Sequence, residues 1–170
     1  DAVRNPNTLP TGRNLFGINA EATPGVRAWD EGKALAKSTL DRYYRKHGEY
    51  PRKVSYTFWA GEFIETEGAT LAQALYMLGV APVRDGMNRV TDLRLIPSAE
   101  LGRPRIDVVV QTSGQLRDVA ASRLELLTKA VKMVAQSKND TCGNYVSEGT
   151  VESERILLEK GFSPKEAREL

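Results

Sequence analysis

The sequence predicts an α/β fold, layered, with a mainly parallel sheet, flanking helices and Rossmann-like pieces. Three observations predict it. Residues 106–111, I-D-V-V-V-Q, are too short for a helix and β-branched enough for a strand buried on both faces. Directly after them, Ser113-Gly114 opens a long apolar-periodic stretch, a strand-to-helix turn of the kind at which open α/β sheets hold their ligands. Strand-like and helix-like stretches also alternate along the chain in the order α, β, α, β, β, β, α, loop, α. Residues 106–111 are therefore expected as a central parallel strand, with Ser113, Gly114, Arg117 and Asp118 at its chemically useful end.

Taken in order, residues 1–25 hold Pro6, Pro10 and Pro24 among turn-forming residues and read as an extended arm. Its stretch N-P-N-T-L-P-T-G-R-N suits a hydrogen-bonding loop whose backbone can approach a ligand at Gly12; a solvated connector is the plainer reading. Over residues 26–46, Trp29, Leu35, Ala36, Leu40, Tyr43 and Tyr44 fall mostly at three- and four-residue spacing, which predicts an amphipathic helix closed by Lys46, His47 and Gly48. A lone histidine there reads as a helix-end cation rather than a metal ligand. Residues 53–60, K-V-S-Y-T-F-W-A, form a strand by composition, residues 61–69 a loop, and residues 70–79 a helix stopped by Gly79. Glu62, Glu65 and Glu67 in that loop suit hard-cation coordination or general-base work, or simply the start of the next helix. Short strands follow at 80–84 and 90–96, around Asp85-Gly86. A strong helical stripe covers 116–136, a polar stretch 137–150 and a last helix 151–160, with Ser163-Pro164 opening another.

Composition narrows the function. Hydrophobic content of 41% is that of a folded domain, and 24 Lys and Arg against 22 Asp and Glu are interspersed, so the charge footprint of a nucleic-acid binder is missing. A single cysteine, Cys142, excludes an internal disulfide; no apolar run has membrane-spanning length, and a cytoplasmic location is the default. The organisation expected is an arm (1–25), an α/β domain (26–136), and a loop with a C-terminal helix (137–170) leading into the remainder of a longer chain, since position 1 is Asp and the end stops just after a helix start. There is no Walker A sequence, no G-x-G-x-x-G after a strand, no Cys or His cluster, no H-E-x-x-H and no nucleophile elbow, so no metal-ligand set is nominated.

Five words of sequence go further: L-P-T-G-R-N (9–14), W-A-G-E (59–62), L-A-Q-A-L-Y-M-L-G-V-A-P-V (71–83), L-I-P-S-A-E-L-G-R-P-R-I-D-V-V-V (95–110) and S-G-Q-L-R-D (113–118). Together, in this order, they resemble the large, tetrapyrrole-binding subunit shared by cobaltochelatase and magnesium chelatase. The frame is kept while part of its filling differs, with Gln115 and Leu116 between Ser-Gly and Arg-Asp, and Gly61 before Glu62.

The resemblance implies an internal fragment of an enzyme subunit that holds a tetrapyrrole while AAA+ ATPase-type partner subunits use ATP and Mg to drive insertion of divalent cobalt or magnesium, as in cobalamin biosynthesis. ATP is not expected to bind this fragment, which is expected to be inactive alone. A non-catalytic tetrapyrrole-binding or haem-demetallating relative stays open beside it. Metal insertion requires removal of two pyrrole N–H protons and of the metal's water shell, for which Glu62 and Asp118 are the candidate bases. Arg13, Arg103, Arg105 and Arg117 are candidates to pair with the ring's peripheral carboxylates, with Ser113 and Gly114 beside them. The segments 61–69 and 112–118 are expected to be neighbours on one sheet edge, with 9–14 folding back toward it.

Overall fold

The computed structural model describes residues 19–138 and 140–169. Its elements are α1 (Val26–His47), β1 (Lys53–Phe58), α2 (Ala60–Glu65), α3 (Ala69–Leu78), β2 (Val80–Arg84), β3 (Val90–Leu95), α4 (Ser98–Leu101), β4 (Asp107–Thr112), α5 (Gly114–Ala135), α6 (Tyr145–Glu159) and α7 (Pro164–Glu169), preceded by a 3₁₀ turn at Ala20–Ala22. The α/β class holds, with a parallel strand pair flanked by helices.

The fold is built around α3, whose ten residues include eight that are buried. A helix apolar all round belongs in the interior. On one side it meets α1, which buries Ala28, Gly32, Ala36 and Leu40, one residue per turn. The approach is close enough that a Cβ on Gly32 would stand 2.6 Å from that of Ala72. On another side α3 lies under the β1–β4 pair, and α5 closes the core with Leu116, Ala120, Leu127, Ala130 and Val134.

β1 and β4 run parallel in register from Lys53↔Asp107 to Phe58↔Thr112. The inward set is Val54, Tyr56 and Phe58 with Val108 and Val110, as period-two alternation requires. β2 and β3 form a separate antiparallel hairpin.

Three expectations need correction. The 106–111 run is not a central strand: among the described residues β4 pairs with β1 alone, and Val109 is 48% exposed. A β-branched run fits a half-covered strand as well as a buried one, and pairing decides which. The segment after β1 is not all loop, because Ala60–Glu65 is helical, anchored by Phe63 against Phe58 at a ring separation of 6.0 Å. The last long helix starts at Tyr145, six residues early, because the Asn144 side chain accepts from the N–H groups of Val146 and Ser147.

Two further details bear on the site. α5 is interrupted at Ala120, whose φ of −143° and ψ of 33° are not helical. Upstream of α1, the backbone carbonyls of residues 22–24 are gripped by arginines: Arg84 donates to Ala22 O and Pro24 O, and Arg123 to Thr23 O. Residues 9–14, and Arg13 among them, lie outside the described residues.

Candidate functional site

The carboxyl ends of β1 and β4 lie side by side, since Phe58 and Thr112 are register partners and Ser113 N–H donates to Phe58 O at 3.2 Å. From this one edge α2 and α5 both start, so the expected adjacency of the two strand-end segments is observed. Ser113 caps α5, its Oγ accepting from Leu116 N–H at 3.3 Å, and Gly114 is the first helical residue. Arg117 is exposed, and its one side-chain bond among the described residues runs from Nε to Thr112 Oγ1 at 3.4 Å. Asp118 is exposed on the next position. Glu62 is half-buried in α2, with Oε1 accepting from the hydroxyls of Thr66 (3.1 Å) and Thr70 (2.6 Å). Those bonds fix the orientation of the carboxylate.

The other two arginines have a different place. Arg103 and Arg105 are buried, 6% and 3% exposed, under the carboxyl end of α3. Arg103 donates to Tyr76 O (2.5 Å), Met77 O (3.1 Å) and Pro104 O (2.8 Å), with its guanidinium over the Tyr76 ring. Arg105 donates to Leu78 O (3.3 Å), Gly79 O (2.7 Å) and Ile96 O (2.8 Å), and its Nε meets Asp140 Oδ1 at 2.5 Å. The final carbonyls of a helix have no partners within it, and here two cations satisfy them. Burial pushes the Arg103 guanidinium below its ordinary pKa. Burial also pushes the Asp140 carboxyl up, but hydrogen bonds from Ser137, Arg105 and Asn144 outweigh it and hold the group below the usual carboxylate range. Arg103 and Arg105 are thus corrected from ring-carboxylate partners to structural caps, because their donors already face the protein's own backbone.

Among the described residues no group of three or more His, Cys, Asp and Glu stands ready to hold a metal, so Glu62, Glu65 and Glu67 do not form a cation site. Glu67 instead turns the chain between α2 and α3 with φ of 51°, and its carbonyl accepts from Gly25 N–H at 3.0 Å. A cavity of about 340 Å³ opens at the opposite, amino end of the strand pair, against Lys53, Asp107, Val146, Thr150, Ser153 and Leu157. No helix among the described residues is long and apolar enough to cross a membrane.

Residues 1–170 match the CobN/Magnesium Chelatase family. The chain belongs to that family. It is 40% identical over 168 residues to the magnesium-chelatase subunit ChlH, chloroplastic, of Oryza sativa subsp. indica, covering 98% of this chain and 12% of the relative. It is 35% identical over 164 residues to the aerobic cobaltochelatase subunit CobN of a Sinorhizobium species, covering 96% and 13%. The solved catalytic subunit of cobaltochelatase from Mycobacterium tuberculosis superposes with a TM-score of 0.80 at 38% identity, over 92% of this chain and 13% of that one. The chain therefore spans about an eighth of the length of these relatives.

Within this CobN/Magnesium Chelatase piece, one residue at the strand edge was not singled out from the sequence. Trp59 stands one position past β1 with 62% of its surface exposed. The signal was present: Val54, Tyr56 and Phe58 alternate inward, so the next residue points out.

Proposed function

We propose that the chain is part of the large subunit of an ATP-dependent metallochelatase that binds a tetrapyrrole and inserts a divalent metal, with cobalt as that metal. The carrying observation is that W-A-G-E and S-G-Q-L-R-D, two of the words that resemble the family, emerge side by side at one strand edge. The cobaltochelatase structure at TM-score 0.80 supports the large-subunit reading, and cobalt is the metal in that enzyme's name. In this reading Glu62 and Asp118 accept the pyrrole protons, Arg117 pairs with a peripheral carboxylate, and Ser113 and Gly114 shape the edge. Arg13, within residues 1–25, belongs to the same proposal, beside the α/β body at 26–136 and the segment 137–170. AAA+ ATPase-type subunits supply ATP hydrolysis in the cytoplasm, and the 170 residues alone insert no metal.

The test is a metallation assay on the full-length protein with its ATPase-type partners, ATP, a free-base tetrapyrrole and either Co²⁺ or Mg²⁺, read by absorbance. Cobalt insertion is expected, slowed about 10²–10⁴-fold by Glu62→Gln or Asp118→Asn. Insertion of magnesium alone would overturn the choice of metal, and removal of metal from haem without any insertion would overturn the direction of the reaction.

A further inference from the structure

We propose that Trp59 and the bare backbone at Gly61 and Gly114 form the face on which the flat tetrapyrrole ring lies. The inference rests on the function proposed above and names positioning residues for it.

Two glycines have no role in the fold. Gly48, Gly68, Gly79, Gly102, Gly143 and Gly161 have positive φ, which only glycine adopts freely. Gly25 and Gly32 sit where a Cβ would collide with Glu67 and with Ala69 and Ala72. Gly86 belongs to the tight turn at the tip of the β2–β3 hairpin, and Gly149, in α6, faces the other end of the strand pair, with Asp107 Oδ2 in ordinary van der Waals contact at 3.6 Å from its Cβ position. Gly61 and Gly114 have neither reason. Both lie on helical backbone, and among the described residues nothing beyond their own helices and chain neighbours comes within 4 Å of an added Cβ. Both stand in the first turn of their helices, where alanine would fit the backbone at least as well, so glycine there leaves open space without serving the fold.

The two spaces share one edge. Gly61 lies three residues beyond Phe58 and Gly114 two beyond its register partner Thr112. Trp59 lies between strand and helix on the same edge, with extended backbone and a largely exposed ring. Arg117 stands on the first turns of α5 beyond Gly114, its guanidinium held only through Nε.

This combination selects a ligand chemistry. Backbone without side chains lets a flat surface come close, an indole stacks on a π system, and a guanidinium at the rim suits an anionic substituent. A planar aromatic macrocycle with peripheral carboxylates has all three complements. A compact or aliphatic ligand would have no use for two bare positions beside an indole.

The experiment measures affinity of the full-length protein for deuteroporphyrin, a free-base porphyrin with two propionates, with melting temperature recorded for each ring-free variant. Trp59→Ala should weaken binding about tenfold and Trp59→Phe restore it to within about threefold, since stacking needs an aromatic face rather than indole itself. Gly61→Leu and Gly114→Leu should each weaken binding about tenfold or more by filling the space, while leaving the melting temperature equal or higher. Wild-type binding with all four variants unchanged would overturn the inference and leave the proposed function standing. A lower melting temperature for both leucine variants would also overturn it, because the space would then belong to the protein's own packing. No binding by the wild-type protein would overturn the function and the inference together.

Discussion

The arginines of L-G-R-P-R-I-D and the arginine of S-G-Q-L-R-D occupy opposite environments, although both words resemble the same family. Arg103 and Arg105 are enclosed, with both terminal nitrogens of each guanidinium donating to backbone carbonyls and Arg105 Nε to Asp140. Arg117 stands in water on a single long bond. A family word can therefore be written for folding or for chemistry, and burial with donor satisfaction tells which. Arginine in the first word closes the end of a buried helix; arginine in the second is free to meet something else.

The strongest way to break the contrast is Arg105→Met. It leaves Asp140 without its cation and takes one donor from each of three carbonyls, so a loss of about 3–5 kcal/mol in denaturant unfolding is expected. A loss under about 1 kcal/mol would place Arg105 with ordinary surface residues. Asp140→Asn should cost less, about 2 kcal/mol, because the amide can still accept from Arg105. The pH dependence follows from the same carboxylate. Its folded pKa is below its unfolded value of about 4, so its contribution is complete above that value and is lost as pH falls through the folded one. Equilibrium unfolding from pH 6 down to pH 2 should show this loss in the wild type and a smaller one in Asp140→Asn.

Gly79→Ala probes the same region through the backbone. The residue has φ of 74°, and its Cβ would stand 2.4 Å from Arg105 Nη1, so a loss of about 1–3 kcal/mol is expected. The smallest effect belongs to the open edge: Arg117→Ala should change stability by no more than about 0.5 kcal/mol. A larger loss there would erase the contrast between the two words.

Sequence patterns reached the helices at α1, α3 and α5 and the strands at β1, β2 and β3 because each carries its period over several residues. They also placed the start of α7, where Ser163 and Glu166 cap each other. They missed α2, whose six residues are too few for a period and include Gly61. The solvent exposure of Val109 was hidden because pairing partners are not written in a strand's own residues. The burial of Arg103 and Arg105 was hidden for a related reason: their acceptors lie up to 35 residues away in the chain, and a charged residue is by default placed outside. At the candidate site, the adjacency of the two strand-end segments was legible from parallel topology, whereas the openness above Gly61 and Gly114 required coordinates.

The break at Ala120 has a consequence for hydrogen exchange. A continuous helix protects its amides as one cooperative unit, but residues 114–119 are separated from the rest of α5 by a residue outside helical geometry, and Leu116 is the fully buried anchor among them. Opening this short segment forfeits the Ser113 cap and one side chain's packing, while Leu127, Ala130 and Val134 stay closed beyond the break. The edge that carries Arg117 and Asp118 can thus breathe on its own, at a frequency set by a few local contacts rather than by the stability of the whole domain.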